Sequence, residues 1–222
     1  MNKPNNHPHD DLIYTYAKGC KDEALNLILS THFYSCNECQ IFLQSAEHLF
    51  GDFFSDLPTN NLVSDTKSAD VFDRIWETVQ SDCVSGKTTI NPLNKKQSPL
   101  DRYLEKNKNK LQVNTNFPHI SETILPLSTR EVKVSIMNID AGTEIPPHTH
   151  KGLELTQIIS GGFYDQKSAY HAGDLTFKDH QDNHAPKIFD DSPCKCLVVR
   201  YGGLKFTGSM GLVYNSIFRL LD

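Results

Sequence analysis

His32, Cys36 and Cys39 lie in the run His-Phe-Tyr-Ser-Cys-Asn-Glu-Cys, at spacing i, i+4, i+7. At about 100° per residue these three positions fall within roughly 60° of one another on a helix. One imidazole and two thiolates from one face supply three ligands of a tetrahedral zinc site. The spacing predicts that a single helix carries all three with no intervening loop. A second constellation reads G-x5-H-x-H-x3-E-x6-G over Gly142, His148, His150, Glu154 and Gly161. Histidines at i, i+2 point to one face of a strand. Glu154 follows a tight turn at Lys151-Gly152 and completes that face. His184, eleven residues after Gly173, is the candidate imidazole from a neighbouring strand. Three imidazoles and a carboxylate suit Zn, Fe, Mn or Ni. Cys194 and Cys196, also at i, i+2, place two thiols on one side of a strand, either as a redox pair or as small residues filling a wall.

The elements that must position these groups change character along the chain. Leu12, Ile13, Tyr16 and Ala17 fit a helical stripe that Gly19 ends. A second helix runs from about Asp22 with Leu25, Ile28 and Leu29 apolar, and a third continues from the triplet through Ile41, Phe42 and Ala46. A further amphipathic helix is expected over 69–80, with Phe72, Ile75, Trp76 and Val79 on one stripe. The flanking segments 51–68 and 81–100 are rich in Asn, Asp, Ser, Thr and Pro and read as linkers. From Leu111 the period becomes two, clearest in Val132-Lys-Val-Ser-Ile-Met-Asn-Ile, and Gly or Pro recurs at short intervals. Many short strands at that spacing predict a sandwich or barrel. Helices first and strands second predict two domains.

Composition excludes several classes. The net charge of −5 in 222 residues argues against a general nucleic-acid binder. No apolar run of about 18 residues is present, so no membrane span is expected. The first residues lack the apolar core of a signal peptide, and a cytoplasmic setting is expected. There the six cysteines suit metal or redox chemistry better than structural disulfides. All of the ten histidines except His48 and His119 lie within 7–32 or 148–184, which predicts two sites. Neither a Ser-His-Asp set nor a G-x4-G-K-[ST] phosphate loop can be assigned.

The 142–161 segment resembles, residue for residue, the first motif of the cupins, which are small jelly-roll barrels. The second cupin motif is degenerate. Gly173 and His184 keep their separation, but Asp179, Gln181 and Ile188 replace the usual Pro, Gly and Asn. His171 and His180 therefore stand as rivals to His184. The whole chain is similar to the ChrR-type anti-sigma factors, which join a zinc-binding helical domain to a C-terminal cupin. The resemblance rests on Tyr14-Thr-Tyr-Ala-Lys-Gly, the His32/Cys36/Cys39 triplet, His148-Thr-His-Lys-Gly-Leu-Glu-Leu-Thr and Cys194-Lys-Cys196.

That resemblance implies a helical anti-sigma domain over 1–80, a linker over 81–110 and a cupin domain over 111–222. An upstream His would be the fourth zinc ligand. His7 matches by its distance to the Tyr-x-Tyr-Ala-x-Gly segment, with His9 and Cys20 as alternatives. The zinc would be structural, because four protein ligands leave no open position. The implied partner is an extracytoplasmic-function sigma factor, held in part through Phe72, Ile75, Trp76 and Val79. The cupin, with Zn or else Fe, Mn or Ni, would sense oxidative signals such as singlet oxygen or organic peroxides. Pairing of two barrels is left open. The rival reading is a metal-dependent cupin enzyme of dioxygenase or isomerase type.

Overall fold

The computed structural model describes residues 3–55, 97–208 and 211, of which 53–55, 116 and 117 are described for backbone only. The 69–80 helix, with Phe72, Ile75, Trp76 and Val79, lies outside the described residues. By contacts the chain divides into two units, residues 1–48 with 98–222, and residues 49–97. The described residues of the second unit are 49–55 and 97. In the first unit helices and strands share one core. No helix among the described residues is long and apolar enough to cross a membrane.

Three helices open the chain: α1 (Asp10–Ala17), α2 (Glu23–Ser35) and α3 (Asn37–Ser55). Asp22 starts α2 by accepting from the backbone N–H groups of Ala24 and Leu25, which satisfies two of the donors every helix N-terminus leaves free. The buried stripe of α2 includes Leu25, Ile28, Leu29 and His32. The sequence prediction that one helix carries the whole triplet does not hold. His32 lies in the last turn of α2, Cys36 is extended (φ −105°, ψ 103°), and Cys39 lies in the first turn of α3. The break is stable because Cys36 terminates one helix and starts the next. Its N–H donates to His32 O, its carbonyl accepts from Gln40 N, and its Sγ accepts from Cys39 N at 3.5 Å.

Helix α4 (Pro99–Asn107) occupies part of the span expected to be linker. Ser98 and Asp101 form a reciprocal capping box, with Pro99 at the first turn. Both features favour helix initiation. Leu100 is 2% exposed, and α4 packs on α2.

The described strands form three antiparallel sheets. The largest has the order β1 (Gln112–Phe117), β2 (Ile120–Ile124), β3 (Val132–Ile139), β10 (Cys194–Tyr201), β5 (Glu154–Ser160), β8 (Leu175–Lys178). The second pairs β11 (Leu204–Phe206) with β4 (His148–His150), and the third has the order β7 (Ala169–His171), β6 (Gly162–Tyr164), β9 (Lys187–Ile188). Strand β10 shows how the core is divided. Leu197 and Val199 pack with Leu25, Ile28 and Leu29 of α2, whereas Cys194, Cys196 and Val198 pack with Phe163, Tyr170 and Ile188 of the third sheet. Its two faces are buried against different layers, so residues 196–199 are all apolar.

Candidate metal centres

The first centre joins His7, His32, Cys36 and Cys39, whose ligand atoms all lie within 4.8 Å of one another. His7 Nδ1 is 3.4 Å from Cys36 Sγ and 3.3 Å from Cys39 Sγ. Nitrogen and sulfur ligands of a tetrahedral zinc, at the usual bond lengths, stand about 3.6 Å apart. The four groups therefore fit such an ion with little adjustment. His32 is fully buried, and its Nε2 has no hydrogen-bond partner in the protein. Burial pushes its pKa down to about 4, so the imidazole is neutral, as metal ligation requires. Burial and the neighbouring Cys36 push the Cys39 thiol up to about 12.

The alternatives to His7 lie elsewhere. His9 is exposed at the N-terminus of α1. Cys20 Sγ accepts from the N–H of Asp22 at the start of α2.

The second centre joins His148, His150 and His184 within the same 4.8 Å limit. His148 and His150 come from β4, and an isolated bridge sets His184 beside His148. His148 donates its Nδ1–H to Pro146 O at 2.9 Å, leaving Nε2 as the free ligand atom. The Nε2 atoms of His150 and His184 are 3.1 Å apart. Burial lowers all three pKa values, that of His184 to about 4. Three neutral imidazoles suit a catalytic-type divalent metal that keeps an open position.

Glu154 does not join the cluster at that distance. Its Oε2 is 3.7 Å from His150 Nδ1 and 3.8 Å from Arg200 Nη1. The turn between β4 and β5 nevertheless requires glycine at position 152, where a Cβ would collide with Tyr201 O. The rivals His171 and His180 are exposed and outside the cluster.

The centre opens on a cavity of about 80 Å³ whose wall includes Glu154, Cys194, Cys196 and Arg200. Cys194 and Cys196 are buried and unpaired by disulfide, and share the inward face of β10. The neighbouring Cys194 and burial together hold Cys196 in the thiol form. Behind His184, the Asp165 carboxylate stands 3.5 Å from His184 Nδ1 and pairs with the buried Lys178 at 2.9 Å. Sequence reading missed Asp165, Lys178, Arg200 and Gln157. The one available signal was polarity inside apolar strands, as in Leu-Thr-Gln-Ile-Ile around Gln157.

Comparison with known proteins agrees with this architecture. Residues 120–202 match the ChrR cupin-like domain family. The chain is 25% identical to the anti-sigma-E factor ChrR of Cereibacter sphaeroides over 214 residues, which is 96% of this chain and 98% of that one. It also matches the crystal structure of Rhodobacter sphaeroides SigE in complex with the anti-sigma ChrR, with a TM-score of 0.68 and 24% identity. That match covers 88% of this chain and 98% of the other. Along nearly its whole length the chain is therefore similar to ChrR, and the β-rich part that follows its N-terminal helices matches the ChrR cupin-like domain family over residues 120–202.

Proposed function

We propose that the protein is a cytoplasmic anti-sigma factor that binds and inhibits an extracytoplasmic-function sigma factor, with its barrel as the sensory part. The observation that carries this reading is one chain holding two clusters, a mixed histidine–cysteine set around the α2–α3 junction and a three-histidine set in its barrel, while resembling ChrR over 96% of its length. Zinc at the first cluster, held by His7, His32, Cys36 and Cys39, would fix the α2–α3 junction and with it the sigma-binding surface. The 69–80 segment would add Phe72, Ile75, Trp76 and Val79 as apolar anchors in a groove of the partner. The second cluster, with Glu154 moved inward, would hold a divalent metal next to Cys194 and Cys196, where an oxidant entering the cavity meets it.

Co-expression with the extracytoplasmic-function sigma factors of the same organism tests the reading. A stable complex carrying two metal equivalents is expected, and Cys36→Ala or Cys39→Ala should release the sigma factor. Undiminished sigma binding after loss of the thiolate-bound metal would refute the structural role of zinc. The cavity beside the three-histidine centre supports a second reading, a metal-dependent enzyme. Failure to bind any sigma factor, together with turnover of a small substrate, would favour it.

A further inference from the structure

We infer that the barrel positions both histidines of the N-terminal cluster: Gln157 orients His32, and Asp174 anchors the segment that delivers His7. The inference rests on the zinc-clasp reading of that cluster and concerns residues outside it.

Gln157 lies on β5 and is 1% exposed. Its side-chain nitrogen donates to Ile158 O at 3.1 Å and Gly173 O at 3.0 Å. Both amide hydrogens are thereby used, and a flipped amide would set its oxygen against two carbonyls. Gln157 Oε1 therefore faces His32 Nδ1, 3.0 Å away, and can only accept from it. His32 is held as the Nδ1–H tautomer. Its Nε2 is left unprotonated and without a protein partner, free to face the cluster. A metal-bound histidine typically gives its other N–H to such an outer partner. Here that partner comes from the barrel, 125 residues along the chain.

The second histidine is held from the same place. Asp174, 1% exposed, accepts from the backbone N–H groups of Asn5 (2.7 Å) and Asn6 (3.1 Å) through Oδ1. Its Oδ2 accepts from Asn6 Nδ2 at 3.2 Å and from the N–H of His171 at 2.9 Å. Leu175 N donates back to Asn6 O at 3.1 Å. Gly173, at φ +101°, leaves room for Pro4, whose Cγ would lie 3.1 Å from a Cβ there. The strap over residues 4–6 thus lies on the turn between β7 and β8, and His7 follows directly.

The clasp therefore has two sources of order. Its thiols come from the α2–α3 junction, and its imidazoles are set by the turn over 171–174 and by β5. Strand β5 also carries Glu154 at the wall of the barrel cavity. A displacement of β5 or of that turn would loosen the clasp without touching a ligand. This gives the barrel a physical route to the sigma-binding helices.

Cobalt(II) binding to the full chain tests the assignment, because a thiolate-bound cobalt gives a charge-transfer band that a histidine-only site lacks. Gln157→Leu and Asp174→Ala should each weaken binding at the thiolate site 10- to 100-fold, the range typical for loss of an outer-shell partner. Tyr201→Phe alters the same helix–barrel interface away from both histidines and should leave that affinity within about twofold, separating positioning from general loosening. Wild-type affinity in Gln157→Leu would overturn the inference. Long-range proton–nitrogen NMR of the wild-type protein loaded with zinc gives an answer that needs no variant. His32 protonated on Nδ1 supports the assignment, and ligation through Nδ1 overturns it. A wild-type protein with no thiolate band at saturating cobalt would overturn the clasp reading itself, and this inference with it.

Discussion

Asp22 joins two roles in one carboxylate, and a double-mutant cycle with Tyr201 separates them. Its Oδ1 accepts from Ala24 N at 2.9 Å and Leu25 N at 3.0 Å, capping the helix whose last turn carries His32. Its Oδ2 accepts from the Tyr201 hydroxyl at 2.6 Å, tying α2 to β10 of the barrel. Burial, followed by the Asp22 contact, raises the Tyr201 pKa, so the hydroxyl is the donor. Loss of an N-cap costs about 1 kcal/mol. Loss of a hydrogen bond to a charged group costs ~1.5–3 kcal/mol, and the half-buried Tyr201 calls for the low end of that range. Asp22→Ala should therefore cost ~2.5 kcal/mol and Tyr201→Phe ~1.5 kcal/mol. The double variant should cost only ~2.5 kcal/mol, because the same bond is lost once. The coupling is then ~1.5 kcal/mol, a little over tenfold in the unfolding equilibrium. Urea unfolding with an unchanged slope measures it. Additivity within about 0.3 kcal/mol would mean that the helix and the barrel are not joined by this bond, and would refute the reasoning.

Two further outcomes follow from burial. Leu29 is fully buried between α2 and the barrel sheet. Leu29→Ala should cost about 3–5 kcal/mol, measured by urea unfolding, and a loss under about 1 kcal/mol would place α2 off the sheet. Cys39, pushed up to about 12 by its surroundings, must give up a proton on ligation, whereas His32, pushed down to about 4, is already neutral. Affinity of the thiolate site should therefore rise with pH by at least about tenfold per unit between roughly pH 6 and 8. The cobalt charge-transfer band reads this directly, and a pH-independent affinity would refute protonated Cys39 as the metal-free state.

The residue types of both centres were legible in the sequence because metal ligation restricts chemistry sharply. His32, Cys36, Cys39, His148 and His150 announce themselves as candidates by identity and local spacing. The period-two pattern of Val132–Ile139 and the Gly19 stop of α1 were legible for the same reason, since both depend on neighbours along the chain. The break at Cys36 was not. A spacing of i, i+4, i+7 fits an unbroken helix equally well, and the thiol cap that stabilises the break depends on how α3 turns away. Helix α4 hides in a span whose polar composition suggests linker, and the capping box at Ser98 and Asp101 is the local signal against it.

The sequence by itself determined which side chains can bind metal, and that helices precede strands. Only the tertiary structure decided which histidine completes each set and what holds it there. The choice of His7 over His9 follows from a strap bonded to Asp174, 168 residues away. The choice of His184 over His171 and His180 follows from its bridge to His148. The tautomer of His32 follows from Gln157 on the far side of the helix–barrel interface. These are hydrogen bonds between groups distant along the chain, and no local pattern encodes them, because their geometry exists only once both layers have packed.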